Sequence, residues 1–214
     1  MPATRAARLP RKRPDRYHHG DLRPALLEAA LRTIQREGVQ AVTLRAVGDD
    51  LGVSRTALYR HFADKSALLA AVAQEGFRML RLTLTEAWER AGRGRPGFEA
   101  MGEAYVRFAL GNRSHYRVMF GGALDRRAPD PGLAREGGAA FQVLVDALVE
   151  QQQQGLVRPD DPLQLARFIW AIVHGIAMLA IDGQLPQPDA DANVLARYAI
   201  ERVRTGIAAA APGD

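Results

Sequence analysis

Between Thr43 and Asp64 the chain sets three helix-capping residues and one glycine so close together that its local path has little freedom. The side-chain oxygens of Thr43, Ser54 and Asp64 can satisfy the free N–H groups of a helical first turn, and Gly52 accepts the left-handed conformation that ends a helix. The spacing predicts one helix over residues 43 to about 51 and a second over 55 to about 62, with only Gly52 and Val53 between them. Helices joined that tightly must turn sharply and pack through Val47, Leu51, Val53, Leu58 and Phe62. This is a helix-turn-helix layout.

The rest of the chain reads as helix on both sides. Upstream, GDLRPALLEAALRTIQREG offers Asp21 as a cap, Pro24 in the first turn and Gly38 as a stop. It puts Leu22, Leu26, Ala29, Ala30 and Thr33/Ile34 on one stripe. Asp64 opens a long helix to about residue 92, a connector between the first unit and the remainder of the chain. Beyond the loop RGRPG, Met101, Tyr105, Phe108 and Ala109 repeat at helical spacing. A short helix over 114–120 ends at Gly121 and Gly122, and a Pro/Gly/Arg-rich loop covers 125 to about 133. Residues 135–154 carry Phe141, Leu144, Val145 and Leu148 on one face. Asp161, Pro162 and Gln164 read as a capping box for LQLARFIWAIVHGIAMLAI, a segment apolar nearly all round and so buried against other helices or another subunit. A last helix is expected over about 191–209. No useful strand alternation is seen, so the fold class is all-α. Three parts are expected: a flexible basic arm over 1–17, the helix-turn-helix unit over 18–66, and a helical bundle over 67–214.

Charge separates these parts. The net charge of +5 conceals 13 Lys+Arg against 7 Asp+Glu in residues 1–65, and 16 against 17 in residues 66–214. A basic segment beside a nearly neutral one points to an anionic partner, because a polyanion releases counterions only to a locally basic surface. Nucleic acid and membrane both qualify, but a packed helix-turn-helix is not the basic amphipathic helix that a membrane surface takes. No cysteine is present, which removes disulfides, thiolate metal sites and thiol nucleophiles. No stretch approaches about 18 uninterrupted apolar residues, and no apolar run follows the N-terminal basic residues, so a cytoplasmic protein without a membrane partner is expected. Gly-rich phosphate loops, nucleophile elbows and metal-spaced His/carboxylate clusters are missing, and His18 and His19 read as a chance pair beside the arm. Neither enzyme activity nor a cofactor or metal is expected.

The stretch TLRAVGDDLGVSRTALYRHFADKSALL resembles the N-terminal DNA-binding domain of the tetracycline-repressor (TetR) family of bacterial transcriptional regulators. The G-V-S turn, L-Y-x-H-F and D-K-x-x-L-L occur together at that family's spacing. YHHGDLR near the start, YRVMF in the middle and W-x-x-x-H-G at Trp170, His174 and Gly175 resemble TetR regulators with a WHG-type C-terminal domain. The resemblance implies double-stranded DNA as partner, a homodimer, and a C-terminal half that binds a small organic effector. An architectural DNA-binding protein without an effector is the alternative.

Physical chemistry assigns roles within the resembling stretch. A recognition helix presents its N-terminal residues to base edges, here Ser54, Arg55, Thr56 and Arg60. Arg55 suits bidentate contact to guanine and Thr56 a thymine methyl. Arg45 matches a family position that reaches a base or phosphate. Tyr59, His61 and Lys65 match positions that grip the DNA backbone; the competing reading of Tyr59 and His61 is packing beside Phe62. Lys65 lies at a helix N-terminus, which itself favours phosphate, and Thr43 offers its hydroxyl or its helix's first N–H groups. Gly48, Asp49 and Asp50 depart from the family's alanine and basic residues, so that face is expected to point away from DNA. Arg11, Lys12 and Arg13 of the arm either enter a minor groove or add sequence-blind affinity, the second reading being preferred.

In the bundle, the last two helices are the dimer candidates by family layout, with Ala171, Gly175 and Met178 as a small-residue stripe. Met101, Tyr105, Phe108, Tyr116, Met119, Phe141, Trp170 and His174 are the effector-pocket candidates, an aromatic wall with few polar atoms. Trp170 and His174, one turn apart, read equally as a structural pair within the core.

Overall fold

The computed structural model describes residues 22–124 and 130–208. The arm, Asp21, His18 and His19 lie outside the described residues. Among those described, nine helices occur in order: α1 Leu22–Glu37, α2 Leu44–Leu51, α3 Arg55–His61, α4 Lys65–Arg90, α5 Gly94–Gly111, α6 Arg113–Phe120, α7 Pro131–Gln153, α8 Pro162–Ile181 and α9 Pro188–Ile207. A single 3-10 turn, Val39–Ala41, comes after α1, and an isolated bridge joins Val157 to Ala208. The fold is all-α.

The head forms as its caps dictate. Thr43 Oγ1 accepts from the Ala46 N–H at 3.0 Å, Ser54 Oγ from Ala57 at 3.3 Å, and Asp64 Oδ1 from Ala67 at 2.8 Å. Each cap is worth about 1 kcal/mol. Gly52 sits at φ 64°, and the N–H groups of Gly52 and Val53 turn back onto the carbonyls of Asp49 and Gly48. Gly48 has a separate reason to be glycine: a Cβ there would lie 2.3 Å from Leu58 Cδ1. The small residue lets α2 and α3 close on each other. Val47, Leu58 and Phe62 are buried between them, with Leu51 and Val53 half-buried at the edge. α1 buries the stripe read from its sequence, and the buried Thr33 hydroxyl donates to the Ala29 carbonyl at 3.0 Å.

Proline moves three helix starts earlier than the apolar pattern indicates. α5 begins at Gly94 and takes most of RGRPG into its first turn, α7 begins at Pro131 behind an Asp130 cap, and α9 begins at Pro188. A first-turn proline has no intrahelical N–H bond to lose, so these residues start helices where they were read as loop. The capping box at α8 forms only by half. Asp161 Oδ1 accepts from the Leu163 and Gln164 N–H groups, but the Asp161 N–H donates to Asp160 Oδ1 at 2.8 Å and leaves nothing for the Gln164 side chain. The absence of an uninterrupted apolar run of about 18 residues stands, but mean composition gives a different measure. By length and composition α8 could cross a bilayer, with a mean hydropathy of 1.6, because Gln164, Arg167 and His174 break its apolar run without lowering the mean far. Here it packs against α5, α7 and α9.

α4 joins the two halves without a break. Its 26 residues span about 39 Å, starting beside α1 in the head and continuing against α5, α6 and α7. α6 packs on both α1 and α4, and Gly76 of α4 admits Met119 so closely that a Cβ would meet its sulfur at 2.5 Å.

Candidate nucleic-acid interface and ligand cavity

The outer face of α3 carries Ser54, Arg55, Thr56, Tyr59 and Arg60, all exposed. Among the described residues neither Arg55 nor Arg60 has an ion-pair partner, so their guanidinium donors face solvent. Tyr59 is 59% exposed, a large aromatic left uncovered rather than packed beside Phe62. His61 is half-buried, and the Arg23 guanidinium lies 5.3 Å over the Phe62 ring, which adds a cation beside the motif that sequence reading did not single out. Lys65 Nζ donates to the Gln40 carbonyl at 3.0 Å and ties the start of α4 to the turn after α1. Two of its three protons remain free. Thr43 and Arg45, at the start of α2, are both exposed.

The two acidic residues of α2 are neutralised locally. Asp50 accepts from Arg32 of α1 at 2.7 Å, and that hydrogen bond holds its carboxyl below the usual range. Asp49 Oδ2 lies 3.6 Å from Arg45 Nε, one turn away. Asp50 therefore turns towards α1, while Asp49 stays beside a candidate contact residue and shares its charge.

Inside the bundle α4, α5, α7, α8 and α9 line a cavity of about 370 Å³ that is partly open to solvent, with Phe120 of α6 at its wall. Met101, Tyr105, Phe141 and Trp170 line it. Gly137 of α7 lines it with room to spare: a Cβ there would meet nothing nearer than the Phe77 ring at 3.9 Å. Behind the wall runs a chain of polar contacts linking three helices. Trp170 Nε1–H donates to the Tyr105 hydroxyl at 3.0 Å, the Tyr105 and Tyr116 hydroxyls lie 2.9 Å apart, and the Tyr116 hydroxyl is 2.6 Å from His174 Nδ1. Burial pushes the Tyr105 phenol up to about 12 and raises Tyr116 as well, so both keep their protons. Burial also lowers His174 from 6.5, which keeps its ring neutral and its Nδ1 able to accept. Phe120 packs at the centre, edge-on to the His174 ring at 4.6 Å and tilted against Tyr116 at 4.7 Å by centroids.

Comparison with known proteins meets this architecture at both ends. Residues 26–72 match the family described as bacterial regulatory proteins, tetR family, and residues 98–203 match the tetracyclin repressor-like C-terminal domain. The chain belongs to the TetR family of transcriptional regulators. Among solved structures, a protein with unknown function from Rhodococcus sp. RHA1 is 35% identical, with a TM-score of 0.80 over 91% of this chain and 100% of that one. A bacterial regulatory protein in the tetR family from Rhodococcus RHA1 shares the fold at 21% identity, with a TM-score of 0.70 over 88% and 98% of the two chains. The HTH-type transcriptional activator FasR of Mycolicibacterium smegmatis is 26% identical over 171 residues, 80% of this chain and 74% of that one.

In this TetR-family regulator the sequence-chosen pocket residues divide into two groups. Met101, Tyr105, Phe141 and Trp170 reach the cavity, whereas Phe108, Tyr116, Met119 and His174 are outside its lining. Tyr116 and His174 instead complete the polar chain, and Met119 packs on Gly76. Sequence reading missed Phe77, Leu80 and Leu84 of α4, and Phe120 and Gly137. The α4 residues follow helical periodicity that marks them as buried, yet periodicity cannot distinguish facing a neighbour from facing a hole. On the far side of α8 and α9, Phe168, Leu179, Val194, Leu195 and Tyr198 are exposed, and a Cβ at Gly175 would meet no described atom. Ile172 and Val203 line both the cavity and the groove between these helices.

Proposed function

We propose that this regulator is a repressor that binds a palindromic operator as a two-fold dimer and is released by a small organic effector held in the cavity. The observation that carries the reading is the unbroken α4. Lys65, at its first turn, belongs to the candidate DNA face, and Leu80 and Leu84 on the same rigid rod line the cavity. Anything that moves the rod from inside moves the head. Phe120 offers a second link, since it lines the cavity at the end of α6 and α6 packs on α1. Dimerisation is supported by the uncovered apolar face of α8 and α9, where the Ala171, Gly175 and Met178 stripe runs beside Phe168 and Leu179. One recognition helix makes few base contacts; two of them meet half-sites about 34 Å apart.

Within this reading Thr43, Arg45, Tyr59, His61 and Lys65 hold the phosphate backbone and Ser54, Arg55, Thr56 and Arg60 face the bases. The protein acts by binding rather than by catalysis, in the cytoplasm and away from membranes, with α8 covered by its neighbours and the second protomer. A second reading, activation, is favoured by the name of the FasR relative. The two differ in where the operator lies relative to a promoter. Selection of bound DNA from a random library, and then transcription with and without the protein, tests both. A palindromic site that silences its promoter supports repression, a site whose promoter is stimulated supports activation, and failure to select any site removes the reading in favour of an architectural protein.

A further inference from the structure

We infer that the cavity selects an uncharged, hydrocarbon-rich ligand, because the hydrogen-bonding groups at its wall are consumed by one another. The inference rests on the effector reading above and names the chemical class of that ligand. Two of the lining residues, Tyr105 and Trp170, bring polar hydrogen to the interior wall. One order of donation, with His174 Nδ1 accepting, leaves no indole or hydroxyl proton unpartnered: Trp170 N–H goes to Tyr105, and the two phenol protons reach His174 Nδ1 through Tyr116 at 2.6 Å or from Tyr105 directly at 3.2 Å, the other phenol donating to its neighbour. The reverse order, with His174 Nδ1–H donating, leaves one of the two phenol protons facing carbon. A buried hydroxyl proton without an acceptor is unfavourable, so the empty cavity holds the first order. The surface left for a ligand is carbon and ring face, with one unused lone pair on the Tyr105 oxygen.

Apart from Arg167, the described residues of this wall offer no free donor to a carboxylate, phosphate or sulfonate, and no carboxylate to a cation. Arg167, the one charged residue among those that line it, is exposed, with its guanidinium already solvated. An ion entering the interior would lose water without gaining a partner. A neutral body fills the space and loses only its hydration shell.

The test uses the full chain and probes that share a skeleton and differ in charge: methyl decanoate, decanoate and decylammonium below their micelle concentrations. The same trio of ester, carboxylate and amine is repeated on a cyclohexyl and a naphthyl skeleton. Binding is read by Trp170 fluorescence in a Trp88→Phe background and by thermal shift. On at least one skeleton the neutral member should bind about 100-fold tighter than either ion, the scale set by an uncompensated buried charge. Gly137→Leu should fill the space and abolish that binding while the melting temperature holds or rises. The inference is overturned if no neutral member binds, if a carboxylate binds as tightly as its ester, or if the Arg167→Gln variant selectively loses carboxylate affinity, which would assign an anion site. Release from DNA is scored separately. A neutral ligand that binds without releasing DNA leaves the chemical class standing and removes the release mechanism.

Discussion

The head and the body of this protein are built from the same kind of helix and treat their polar side chains in opposite ways. On α3 the guanidinium groups of Arg55 and Arg60 and the phenol of Tyr59 stand in solvent with their hydrogen bonds unspent on protein. Around the cavity Trp170, Tyr105, Tyr116 and His174 spend theirs on each other. A surface with free donors is prepared for a polyanion, and a wall whose indole and phenol donors are already paired is prepared for carbon. The difference lies in the position of the hydrogen bonds and not in composition, since both regions use arginine, tyrosine and histidine.

The contrast can be broken at either end. Arg55→Ala should reduce preference for the selected operator by about 10- to 100-fold per half-site, since a bidentate base contact is worth roughly 1–3 kcal/mol. Fluorescence anisotropy on operator and random DNA reads it, with melting temperature unchanged; equal loss on both DNAs would mean that Arg55 anchors phosphate. Tyr116→Phe should do the reverse. It removes the hydroxyl nearest His174 Nδ1, leaves that nitrogen only the longer 3.2 Å contact with the Tyr105 hydroxyl, and costs roughly 1 kcal/mol of stability by denaturant unfolding. Operator affinity per folded molecule should stay the same. Ser54→Ala, which removes the cap of α3, should cost about 1 kcal/mol and weaken DNA binding with it, because there the fold and the interface share a residue.

The smaller effects sharpen the comparison. Burial holds His174 below its ordinary 6.5, and His115 likewise, so below that pH the unfolded chain takes up protons that the folded chain does not. Stability should therefore fall as pH drops through about 6.5, and a His174→Asn variant should show a shallower fall in melting temperature than the parent. An equal slope in both would assign the effect elsewhere. Deleting residues 1–16 should flatten the salt dependence of DNA affinity slightly and leave operator preference intact.

Most of the head was legible because its instructions are local. Thr43, Gly52, Ser54 and Asp64 act within four residues of themselves, so caps and turn can be read from spacing alone. The early starts of α5, α7 and α9 were missed where proline was read as an interrupter of helices and not as an opener. The cavity was half legible: an aromatic residue at helical spacing is visibly buried, but whether it faces a neighbour or empty space is set by residues distant in the chain, as Phe77 of α4 faces Gly137 about 60 residues away. The polar chain was foreshadowed only as a Trp170–His174 pair. Its other members, Tyr105 and Tyr116, come from helices that spacing cannot place against α8.

Ile172 and Val203 face the cavity on one side and the α8–α9 groove on the other, so the partition between them is a single side chain thick. A molecule that swells the inner space presses on the surface where a second protomer would sit. Coupling of that kind runs both ways: if occupancy alters the tendency of two chains to associate, association must alter occupancy by the same factor. The dissociation constant of a ligand for this protein should then drift with the concentration of the protein itself, and a titration repeated at several dilutions would expose the drift.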